Sequence, residues 1–138
     1  MKLANPALAG AAVFGPPPAV RDAITAALAT VDGLTAHRTT PDQPQAFDAW
    51  PRWSTSAYTG GRLNYLAVHE YDAVICLPAT YEHDTVDAGD SLLSLVVAAL
   101  WGLGKVETAE PIRLTFDNGT STPALRVHLI PHLNPNGA

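Results

Sequence analysis

The residues of this chain that could do chemistry are five histidines, a few paired carboxylates and one cysteine. A metal centre needs several ligands converging on one point. His128 and His132 are four apart, which would put them on one face of a helix, but their segment has the pattern of a strand. Four residues along a strand separate them by roughly 13 Å, too far for one ion. His83 stands between Glu82 and Asp84 just ahead of a helical pattern. Nothing downstream matches that cluster, so it is expected to be the solvated start of a helix. Acid–base work by two carboxylates would fall to Glu70 and Asp72, or to Glu107 and Glu110. Each pair is expected at a solvated strand edge or in a loop. Cys76 lies in an apolar run, the setting of a buried and inert thiol. Ser54, Ser56, Ser91, Ser94 and Ser121 have no activating context, and no Gly-x-Ser-x-Gly elbow is present. Gly10, Gly15 and Gly60-Gly61 are not followed by the Gly-Lys-Ser/Thr of a phosphate loop. The expectation is a chain without catalytic, metal or cofactor residues.

Trp50, Arg52, Trp53 and Tyr58 interleave aromatics with a cation, as base-stacking surfaces do. One arginine in a chain of formal charge −5 is a poor electrostatic footprint for nucleic acid. Core or subunit-contact roles suit these tryptophans better.

The elements that position these residues follow from periodicity. Asp84 to Gly104 has the pattern of an amphipathic helix against a sheet. Leu92, Leu95, Val96, Ala99, Leu100 and Leu103 recur at three- and four-residue spacing, and Val97 and Trp101 widen the face. Asp84 or Thr85 is the expected cap, Asp87 and Asp90 favour the positive end of the helix dipole, and Gly102 and Gly104 end the helix. An earlier helix spans Pro18 to Val31, with Val20, Ile24, Ala27, Leu28 and Val31 inward. Leu34 to Thr40 is a candidate short strand, and Pro41 to Ala46 a loop. Trp53 to Thr59 and Arg62 to Leu77 are strands joined by a turn at Gly60-Gly61. The second is apolar on both parities, so it is expected to be central, with a break or bulge near Glu70 to Asp72. Ile112 to Phe116 and Leu125 to Ile130 flank Asp117-Asn118-Gly119, a strong hairpin signal. Ile112, Leu114 and Phe116 are expected to face the helices, as are Leu125, Val127 and Leu129. The fold class is therefore α+β, a mostly antiparallel sheet with two helices packed on one face. The expected organisation is an N-terminal arm over 1–15, one domain over 16–133 and a C-terminal tail over 134–138.

Composition agrees with a single core in 138 residues, of which 47% are hydrophobic. Only 15% are charged and 12 are proline, which suits a subunit covered by neighbours. One cysteine excludes an internal disulfide. No apolar run is expected to span a bilayer, and Asn5, Pro6 and Gly10 break the N-terminal apolar stretch too early for a signal peptide.

The order of elements resembles the tail-terminator proteins of long-tailed, siphophage-type bacteriophages. The likeness covers about Val20 to Leu133. It rests on the first helix, the Ala49-Trp50-Pro51-Arg52 stretch and the strand Tyr71 to Leu77 ending at Pro78. The Leu-rich helix Asp87 to Leu103 and the closing pair approached through Pro123 to Val127 complete it. The resemblance implies a structural virion protein, with no catalytic activity and no cofactor. Such proteins form a ring, a hexamer in this family, on the head-proximal end of the tail tube. The ring stops tube polymerisation and offers a docking surface to the head-to-tail stopper of the neck. The implied partners are copies of the chain, the tail-tube protein, the stopper and the tape-measure protein. DNA passes through the lumen without specific binding, and no membrane is involved. Assembly would occur in the host cytoplasm.

On that reading the contact residues are Trp50, Arg52, Trp53, Tyr58 and Arg62 of the first hairpin, with Asp117, Asn118 and Thr120 of the second. Rival readings are a stopper or adaptor ring of the same neck and, from another class, a small cellular α+β enzyme or binding module. Two helices count against a stopper, and an antiparallel sheet counts against an adaptor.

Overall fold

A computed structural model of the chain describes residues 17–59 and 66–131. The expected N-terminal arm, the Gly60-Gly61 turn, Arg62 and the C-terminal tail lie outside the described residues. The elements run α1 (Pro17–Ala29), β1 (Thr35–Ala36), β2 (Asp48–Thr59), β3 (Leu66–Cys76), α2 (Glu82–Leu100), β4 (Gly104–Thr115) and β5 (Ser121–Pro131). A short 3-10 turn, Trp101–Leu103, joins α2 to β4. The strands form one sheet in the order β1-β2-β3-β5-β4. The fold is α+β with a mostly antiparallel sheet and two helices on one face, as the pattern predicts. The β1–β2 pair is parallel, so the sheet is mixed, with its other three pairings antiparallel.

Both helices pack on one face of the sheet. Val20, Ile24 and Leu28 of α1 meet Leu92, Val96 and Leu100 of α2 over Ala49, Tyr71, Ala73, Ile75, Leu125, Val127 and Leu129. Alternation explains the sheet residues, since every second side chain of a strand shares a face. The buried stripe of α2 is the i, i+4, i+8 row. Leu95 and Trp101, expected inside, are instead exposed.

Several boundaries move for local reasons. The helix α2 starts at Glu82, and Tyr81 precedes it without a side-chain cap. Thr85 is inside the first turn, where its hydroxyl donates to the Pro78 carbonyl and ties the helix to the end of β3. Together α2 and the 3-10 turn, Glu82–Leu103, are 22 residues and contain an 18-residue stretch of mean hydropathy 1.5, long and apolar enough to cross a bilayer by those measures alone. This differs from the sequence expectation that no apolar run would span a bilayer. Leu92, Val96 and Leu100 are used against the sheet. Only Thr35–Ala36 of the candidate strand 34–40 is paired. Strand β2 begins five residues early and carries Pro51. The short β1 leaves that side of Pro51 open, so its missing N–H costs no ladder bond. Arg21 fills the gap by donating to the Pro51 carbonyl at 3.2 Å.

Strands β4 and β5 form a long hairpin whose turn holds Gly119 at φ 88. At the other end Gly104 is required by close approach. A Cβ there would stand 2.2 Å from the Ile130 carbonyl oxygen.

Register shifts fall between Trp53 and Thr55 on β2 and between Val106 and Thr108 on β4. The first lies opposite Tyr71 and Glu70, so the expected irregularity is at the right level but on the neighbouring strand. The second corrects a facing assignment. Val106 packs on the helix side, and the extra residue Glu107 reverses the parity beyond it. Leu114, with Ile112 and Phe116, therefore joins Trp50, Val74, Cys76 and Ala124 in a second cluster on the far face.

Candidate functional site

The far face of the sheet divides in two. Its Cys76 end is the apolar cluster around Trp50. Toward the opposite end, a row of directly paired residues crosses four strands: Arg52 on β2, Asp72 on β3, His128 on β5 and Thr108 on β4. Residues paired across strands share a face, so the four stand side by side. Glu70, two residues before Asp72, joins them by strand alternation. The bulge adds Glu107 opposite the same histidine.

His128 is the centre of this group. Its Nδ1 lies 2.7 Å from Asp72 Oδ1, its Nε2 lies 2.7 Å from Glu70 Oε1, and Glu107 Oε1 is 3.8 Å from Nε2. The second oxygen of Asp72 accepts from Arg52 Nη2 at 3.3 Å. The Asp72 side chain is 5% exposed and those of His128 and Glu70 are 16% and 19% exposed, while Glu107 is 44% exposed. The group is closed beneath and open at the Glu107 side.

Burial alone would lower the His128 pKa. The hydrogen bonds and charges of Asp72 and Glu70 outweigh it and leave it raised. An imidazole that touches carboxylates through both nitrogens satisfies both contacts only as the doubly protonated cation. Three carboxylates face one guanidinium here, so the group carries formal charge −2 without the imidazolium proton and −1 with it. Such a site attracts a proton or a metal cation.

These residues correct the reading of Glu70 and Asp72 as a solvated pair. Asp72 is buried in the middle of the sheet and fully partnered. Two acidic residues at i, i+2 inside an otherwise apolar central strand were the available signal, because buried charge demands a partner. Position 128 is not separable by spacing from the other histidines, and Glu107 enters only through the bulge.

The other candidates fall in different places. His83 is exposed at the start of α2, stacked on Tyr81 with ring centroids 5.6 Å apart. Cys76 is buried, and burial with the Asp48 charge nearby pushes its thiol up to about 11. Trp50 is 2% exposed in the far-face cluster, with its indole N–H buried and without a hydrogen-bond partner among the described residues. Arg52 belongs to the His128 row. Trp53 is 57% exposed and pairs opposite Tyr71, away from Arg52's face. Tyr58 is within β2, opposite Ala67 of β3. Asp117, Asn118 and Thr120 form the exposed tip of the β4–β5 hairpin. Asn118 Oδ1 accepts from both the N–H and the hydroxyl of Thr120. This tip shares a cleft with Asp42, Gln43 and Pro44 of the β1–β2 connection. Trp50, Arg52, Trp53 and the Asp117, Asn118 and Thr120 tip therefore do not form one patch.

No protein-family model matches the chain, and no characterised protein or solved structure is detectably similar to it.

Proposed function

We propose that the chain is a ring-forming structural subunit of the tail-terminator kind, capping the head-proximal end of a phage tail tube and presenting a docking surface to the neck. The observation that carries this reading is the pair of apolar flanks on α2. The helix spends Leu92, Val96 and Leu100 on the core. On one side of that stripe, Val86 and Leu93 line an open groove with Ala109 and Pro111 of β4. On the other side, Leu95 and Ala98 lie beside Thr30, Val31 and Asp32 at the end of α1. Leu95 and Val86 are each about half exposed. A cyclic ring needs two different, complementary surfaces on every subunit, and exposed apolar patches of this kind mark places where chains meet.

Two further features support the reading. The α+β class with both helices on one face has the order of elements on which the family resemblance rests. Among the described residues, strands β2 and β3 continue as a two-stranded arm out to Thr59 and Leu66, with β5 paired to β3 from Tyr71 to Cys76. An arm with open strand edges can add to a neighbour's sheet.

The test is to place a charge on each flank separately. Leu93→Asp and Leu95→Asp are expected to keep the far-UV circular dichroism and melting temperature of the parent, yet to be missing from purified particles by immunoblot. Incorporation of both variants at the parental level would overturn the ring reading.

A further inference from the structure

We propose that Glu70, Glu107 and His128 form a binding site for a divalent transition cation of the zinc type. This goes beyond the assembly role and stands or falls without it. The three donor atoms come from three strands and lie within 4.8 Å of one another. A tetrahedral zinc ion with nitrogen and oxygen ligands holds its donors roughly 3.4 Å apart. The observed Nε2 separations, 2.7 Å to Glu70 and 3.8 Å to Glu107, lie on either side of that value. Both separations are within about 0.7 Å of what the ion would require.

Two features distinguish this group from a chance meeting of surface charges. The first is the back of the imidazole. Asp72 is buried and holds Nδ1 at 2.7 Å, which fixes the ring with Nε2 toward the carboxylates. A carboxylate behind a ligating histidine is the arrangement that orients the ring and raises its basicity. The second is the bulge, an extra residue whose effect is to place Glu107 opposite His128 beside Thr108. Imidazole with two carboxylates suits zinc and its first-row neighbours better than magnesium or calcium, which take oxygen donors. Three protein ligands leave a fourth position, and the exposed Glu107 side is where water would complete it. Arg52 is engaged by the other Asp72 oxygen, so the only guanidinium in the row is already paired.

The experiment is a titration of the full chain, first stripped with chelator, by zinc chloride in competition with a chromogenic chelator. One equivalent per chain is expected, with a rise in melting temperature by mass action. Cobalt chloride in place of zinc should give visible absorption bands. Glu107→Gln alters a residue on an exposed bulge and should remain folded, and it should weaken zinc binding at least about tenfold. Asp72→Asn should weaken it by about 10- to 100-fold through the unheld ring. His128→Gln should abolish it. Absence of saturable binding would overturn the proposal, as would zinc affinity unchanged in the folded Glu107→Gln variant, since the metal would then sit on other histidines.

Discussion

Asp72 and His128 face each other across the β3–β5 ladder, and the carboxylate accepts from the imidazole Nδ1–H at 2.7 Å. Asp72 also binds Arg52, so one buried carboxylate links β2, β3 and β5 on the face without helices. Removing it leaves two cationic groups without their shared anion. Asp72→Ala is expected to cost about 3 kcal/mol of stability, since breaking one partner of a buried charge pair is dearer than losing a surface pair. His128→Gln should cost about 2 kcal/mol, because an amide replaces part of the hydrogen bonding. Urea denaturation of both variants beside the parent measures this.

The same contacts make stability depend on pH in the metal-free protein. His128 faces Asp72 and Glu70 from β3 and Glu107 from β4, with Arg52 of β2 beyond Asp72. Its folded pKa is raised above the unfolded value, so its contribution is complete below that value and is lost as pH rises through the folded one. Unfolding free energy should therefore fall as pH rises above the ordinary histidine value, and His128→Gln should flatten that slope. An unchanged slope in the variant would contradict the assignment.

The two sides of α2 should respond differently to truncation. Leu100 is fully buried, and Leu100→Ala should cost about 2–5 kcal/mol through lost contacts and a residual cavity. Leu95 is half exposed, and Leu95→Ala should change stability by no more than about 0.5 kcal/mol. Thermal melts of the two variants distinguish them, and equal losses would mean that Leu95 belongs to the core.

Cys76 should be inert to thiol reagents. It is 1% exposed, and its thiol is pushed up to about 11 by burial and by Asp48. Reaction with a disulfide reagent should be absent in native buffer and complete in denaturant. Fast labelling of the native chain would show that the far-face cluster opens.

Much of this architecture is legible in the residue pattern, because amphipathic spacing reports burial directly. Val20, Ile24 and Leu28, and then Leu92, Val96 and Leu100, announce the helices and their inner faces. Asp117-Asn118-Gly119 announces the hairpin that β4 and β5 make. What escapes is non-local. The parallel β1–β2 pair depends on where the 37–47 connection returns, which no two-residue strand can signal. The reversed facing of Ile112, Leu114 and Phe116 follows from one bulged residue at Glu107, and sequence alternation cannot register it. The His128 group escapes for the same reason. The Glu70–Asp72 pair, Glu107 and His128 are far apart along the chain, and the strand order β3-β5-β4 brings them together.

The assembly role is tested most directly by electron microscopy of particles made by a phage genome from which this gene has been deleted. The account predicts abnormally long tail tubes without heads beside filled heads without tails, because polymerisation has lost its stop. Leu93→Asp and Leu95→Asp, supplied in place of the parent, should leave the same defect. Tails of normal length beside full heads would contradict a terminator and point to a stopper or adaptor of the neck. Normal infectious particles would contradict any role in the neck.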